Sequence, residues 1–167
     1  MTPQQQILRL QTLLGARLWG GAAPGTLVFS RAAIVPSGVE PWGFVGELRT
    51  PYTLISFAGA TADPEHPEYL PEVNFDITFV VDVSNDQFGE GSIVGAGVAS
   101  ANNSAGKGLL DVLDEVHAVV RQIDSTTDGF RLRAKTISDA GAIAHQGRTL
   151  AAMTVRVTGI GTMTETA

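Results

Sequence analysis

The side chains able to do chemistry in this chain are few and scattered. Its three histidines, His66, His117 and His145, fall on a loop, a helix and a second loop by pattern. None has a histidine or carboxylate at the four-residue spacing of a helical metal site, and His117, off the apolar stripe of its helix, reads as solvated. There is no cysteine, which excludes disulfides, thiolate zinc sites and thiol nucleophiles. Asp63, Glu65, His66 and Glu68 lack the spacing of a calcium loop and read as a solvated acidic segment. No serine sits in a G-x-S-x-G elbow. The run Ala101–Gly108 has the outline of a phosphate loop, yet Ala101 replaces its first glycine and Gly108 its magnesium-binding hydroxyl, leaving Lys107 as a solvated lysine. Gly89, Gly91, Gly95 and Gly97 do not fit dinucleotide spacing. No catalytic residue, metal ligand or cofactor is expected.

Charge is more informative than motif. The net charge of −6 argues against a protein that wraps nucleic acid through a basic surface. Its distribution is segregated: no Lys or Arg lies between Arg49 and Lys107, where Asp63, Glu65, Glu68, Glu72, Asp76, Asp82, Asp86 and Glu90 fall. From Arg121 to Arg156 the balance reverses, with Arg131, Arg133 and Lys135 alternating along one strand. The opening Met1–Gln6 has no basic n-region, and no run approaches the roughly 20 apolar residues of a membrane helix. A single soluble, unexported domain spanning residues 1–167 is expected.

The elements that must position these charges follow from periodicity. Thr2-Pro3-Gln4-Gln5 has the form of a capping box, and Ile7, Leu10, Leu14 and Leu18 repeat at helical spacing, predicting a helix over 3–19 that stops at Gly20-Gly21. Thr26–Phe29 and Arg31–Val35 are short strand candidates within a stretch that Pro36, Gly38, Pro41 and Gly43 interrupt, and Trp42 and Phe44 there read as pins to the core. Tyr52–Phe57 is a β-rich run, and Ala58–Pro71 a loop. Asn74–Val83 alternates apolar with mostly polar residues as a half-buried strand does. Residues 84–106 are glycine-rich and predict a flexible or partner-ordered loop. Gly108–Ile123 carries one apolar stripe and predicts a helix, with Asp111 and Asp114 near its N-terminus. Phe130–Ile137 and the Met153–Thr158 region predict two late strands, with a polar connection at Ser138–Arg148. The expected fold is α+β: a small antiparallel or mixed sheet with two main helices packed on one face.

Taken in order, the capped helix, the strand Tyr52–Phe57, the acidic loop, the strand Glu72–Val81, the helix Leu109–Ile123 and the late pair Phe130–Ile137 and Leu150–Ile160 resemble the tail terminator proteins of lambda-like long-tailed phages and their tail-completion relatives. The segments 22–50 and 84–106 are longer than in that pattern. The resemblance implies a non-enzymatic virion subunit without cofactor, assembled in the bacterial cytoplasm into a hexameric ring. Such a ring caps the head-proximal end of the tail tube, ends tube polymerisation and presents the head-docking surface. The implied partners are further copies of the chain, the tail-tube protein and head–tail connector proteins, with DNA only in transit through the lumen and no membrane.

A head-to-tail ring needs two different complementary patches on each subunit. The basic strand face (Arg131, Arg133, Lys135) and the acidic residues Asp76, Asp82 and Glu90 are the candidate contacts. The plainer reading of the basic face is an edge strand whose cations discourage aggregation, and some of the acidic block is expected to line the lumen. A tail-tube or connector subunit, or a small ligand-binding or enzymatic α+β domain, are the competing expectations.

Overall fold

A computed structural model describes residues 2–62, 64–65, 72–84, 93–94, 107–123, 127–138 and 141–161. The first helix, α1 (Pro3–Gly15), begins on a true capping box: the Gln5 backbone N–H donates to the Thr2 hydroxyl at 3.3 Å, and the Thr2 N–H donates to Gln5 Oε1 at 2.8 Å. It ends four residues before the expected boundary. The reason is a competing pairing: Trp19 N–H donates to Thr26 O and Val28 N–H to Arg17 O, so Arg17–Trp19 leaves the helix to lie along Thr26–Val28. The strand expected at Thr26–Phe29 reduces to that one bridge, Leu18 to Leu27.

Six strands form one mixed sheet: β1 (Ala32–Ile34), β2 (Tyr52–Thr61), β3 (Glu72–Asp82), β4 (Phe130–Ile137), β5 (Gly141–His145) and β6 (Arg148–Gly161). The order across it is β1-β2-β3-β6-β4, with β5 also on β6. β1 runs parallel to β2 and the other pairings are antiparallel. The strand at β2 runs past Phe57 to Thr61 after a register shift between Phe57 and Ala60, where Gly59 has φ +101°.

The connection expected at Ser138–Arg148 contains β5. β4 and β5 pair in succession with the same long strand β6, so the three strands make one long hairpin arm with a register shift at Ala134/Thr136. Its tip, Gln146-Gly147, has φ of +49° and +73°, the two left-handed residues of a tight two-residue turn that matches strand twist.

The second helix, α2 (Leu109–Gln122), starts where the Gly108 N–H donates to Asp111 Oδ2 at 2.8 Å. Its stripe, Leu109, Val112, Val116, Val119 and Val120, joins Leu10 and Leu14 of α1 over Ile55, Phe75, Ile77, Phe79, Val155 and Val157 of the sheet. The two helices therefore cover one sheet face, as expected. His117 is half-buried with Nε2 sealed from solvent, which corrects the solvated reading. Lys107 is likewise not simply solvated: its Nζ lies 5.9 Å from the centre of the Trp19 ring.

The opposite face is covered only in part. A short 3-10 helix at Pro41–Phe44 and the turn after it pack Trp42, Phe44, Val45 and Leu48 onto Tyr52, Leu54, Val80, Leu150 and Ala152. Trp42 and Phe44 thus pin their segment to a second core, as their sequence context suggested. The remainder of that face is open and polar. Among the described residues no helix is long and apolar enough to cross a membrane.

Candidate docking face of the sheet

The open half of the second face is a ladder of polar pairs. Alternation in β3 sends Asn74, Asp76 and Thr78 to this side, and the β3–β6 register sets them opposite Thr158, Arg156 and Thr154. Each pair is closed: Thr158 Oγ1 donates to Asn74 Oδ1 at 2.8 Å, and the Thr78 and Thr154 hydroxyls meet at 2.8 Å. Between them Arg156 donates from Nε and Nη2 to the two oxygens of Asp76 at 2.7 and 2.8 Å. The hydrogen bonds to Asp76, then its charge, raise the Arg156 pKa above its ordinary value. Arg156 is about half exposed, so this pair fixes geometry more than it stabilises the fold.

β4 continues the face outward. Arg133 lies opposite Thr158 and Arg131 opposite Ile160, both exposed. Lys135 pairs with Glu72 at 3.2 Å, with both side chains about half exposed. Arg131 and Arg133 have no ion-pair partner among the described residues. Two shallow depressions of about 120 and 210 Å³ share Asp76 and Thr154; one is bounded by Val35–Pro41, the other by Thr136–Ser138. The face is thus an internally paired polar surface, rimmed on both sides, with two cations on its outer strand that have no ion-pair partner among the described residues.

The acidic candidates are placed differently from the expectation. Asp76 is held by Arg156 of the same chain. Asp82 is 3% exposed and so presents nothing to a neighbour: its carboxylate accepts from the Ser84 backbone N–H and hydroxyl at Oδ1 and from Arg148 at Oδ2, 2.7 Å from Nε. Burial would raise this carboxyl, but the Ser84 hydrogen bonds, then the Arg148 hydrogen bond and charge, outweigh it and hold the pKa below the usual carboxylate value. Arg148 also reaches Val45 O at 3.5 Å, and a depression of about 540 Å³ lies beside it along Val45–Thr50. Nearby, burial pushes the Tyr52 phenol up to about 12, against the opposing pull of Arg148. Glu90, the third acidic candidate, and residues 85–92 and 95–106 of the glycine-rich segment lie outside the described residues.

The ladder partners Asn74, Thr78, Thr154, Arg156 and Thr158 were not singled out by sequence. Their signal was there in the polar alternation of both strands. What sequence lacked was the register that sets Asp76 against Arg156. No protein-family model matches the chain and no curated protein matches it, so its function is inferred from the fold and this face.

Proposed function

We propose that this chain is a structural subunit of a long-tailed phage that assembles head-to-tail into a ring capping the head-proximal end of the tail tube. The observation that carries the reading is the open sheet face. Its polar groups pair with one another from strand to strand, and among the described residues they do not converge on an enclosed cavity, which is the character of a docking surface. Between α1 and α2 the strands β2 and β3, and after α2 the strands β4 and β6, follow the element order on which the family resemblance rests, with β1 and β5 in addition. The charges left free at the sheet margin suit steering and register between subunits more than affinity.

Negative-stain microscopy of the purified protein tests the reading. Closed rings of uniform diameter are the expected result. Open tubes growing with concentration would instead assign it as a tube subunit. Dispersed single particles with a melting temperature raised by nucleotides or metals would replace the ring with a ligand-binding domain.

A further inference from the structure

We propose that the outer backbone edge of β5 is a pairing site for the same edge of a second copy of this chain, the two strands running antiparallel about Ile143. This contact is separate from the head-to-tail one of the ring and does not depend on it.

The other margins of the sheet are protected. At β1 the Ala32 carbonyl accepts from Gln11 Nε2 at 3.1 Å, so α1 covers that edge. β4 carries Arg131, Arg133 and Lys135 and a register shift at Ala134/Thr136, which are devices that keep an edge strand from adding a neighbour. β5 has none of them. Gly141-Ala142-Ile143-Ala144 holds no charge and no proline, is exposed throughout, and keeps an unbroken register with β6.

One side of the β5 backbone is open. The two-residue turn Gln146-Gly147 makes His145 and Arg148 a hydrogen-bonded pair. The next residue of β6 turns the other way: Thr149 O accepts from Val83 N–H, and Thr149 N–H donates to the Ser84 hydroxyl, both on the β3 side. By that alternation Gly141, Ile143 and His145 bond to β6, while Ala142 and Ala144 direct their N–H and C=O groups outward. None of these outward groups has a partner among the described residues.

Their spacing makes the edge self-complementary. With Ile143 opposite Ile143 of the second copy, each Ala142 faces an Ala144. Both of those pairs exchange two hydrogen bonds, so every outward group of both strands is used. The central Ile143 pair is then of the non-hydrogen-bonded kind, whose side chains lie closest, and two exposed β-branched residues cover one another. His145 falls opposite Gly141, so no like charges meet. An isologous contact of this kind joins copies two at a time and does not propagate. A pair of five-residue strands buries much less than the roughly 1,000 Å² of a stable interface, so the contact is weak and forms at high protein concentration.

The test compares the natural chain, Ile143→Lys, Ile143→Glu and an equimolar mixture of the two variants. Sedimentation over a wide concentration range reads the mass, and hydrogen exchange is resolved at Ala142 and Ala144. Ile143 is exposed, and circular dichroism confirms that each variant keeps its fold. In the natural chain the dilute species should double in mass at high concentration while the Ala142 and Ala144 amides slow. Each variant alone should weaken that doubling about fivefold or more, because like charges meet directly across the strands, and the mixture should restore it. Doubling with unaffected variants, or with these amides still fast, moves the contact off β5. Variants that lose the doubling without recovery in the mixture overturn the two-fold register. Amides slow at every dilution would show the edge already covered, and a mass that never doubles would show it unpaired; either result overturns the proposal. Doubling is counted from the dilute species, whether ring or single chain, so failure of the ring reading does not decide this test.

Discussion

Asp82 shows how burial and charge combine at one residue. Its carboxyl binds a proton less readily in the folded chain than in the unfolded one, so its contribution is fully present above the unfolded value of 3.8 and fades as pH falls below it. Asp82→Asn should therefore cost about 2 kcal/mol at neutral pH, because Arg148 and Ser84 lose a charged acceptor. The stability difference between the natural chain and D82N, measured by urea unfolding across pH, should stay constant above about pH 5 and narrow below about pH 4. A difference that persists unchanged in acid would mean the carboxylate is not what these donors hold. Gly159 poses a steric question instead. A Cβ there would lie 2.3 Å from Gln6 Oε1, and Gln6 is 3% exposed. Gly159→Ala should cost about 1–3 kcal/mol by overpacking, and adding Gln6→Ala should recover part of that, a non-additivity that a double-mutant cycle reads directly. Neither contact was legible in the sequence, since both join residues far apart in the chain. In the sequence Asp82 read as a candidate subunit contact within the acidic block, whereas its partner is Arg148 of the same chain.

Elements were legible where periodicity was strong. β3 alternates from Glu72 to Phe79 before ending in a fully buried run, α2 carries one apolar stripe, and both appear within two residues of their expected ends. Failures arose where tertiary pairing overrode local pattern. Helix α1 gives up its expected last turn to the Leu18–Leu27 bridge. β5, with the sequence Gly-Ala-Ile-Ala-His, has neither alternation nor a β-branched run, and exists because the Gln146-Gly147 turn folds it back along β6. Gly147 meets nothing within 4 Å, so Gly147→Ala tests backbone conformation alone. At φ +73° it should lower stability by about 1 kcal/mol in chemical denaturation. No change would mean that the arm does not depend on this turn. The basic strand face was legible from alternation in Phe130–Ile137, whereas its partners on β6 required the register.

The whole molecule is a sheet with one face closed by helices and the other divided between a small second core and an open polar ladder. The α+β class and the single-sided helices could be read from the order of elements. The division of the second face could not, because it depends on the Pro- and Gly-rich segment 36–48 folding over Tyr52 and Val80. On the proposed reading, the chain associates head to tail with further copies of itself. The central claim is that it does so to closure. The mass of the purified natural chain in solution, followed by light scattering over a wide concentration range, tests this most directly. The ring account predicts a single discrete species of hexameric mass that persists on dilution. A species of one chain mass at every concentration, or a mass that climbs without limit, would contradict it.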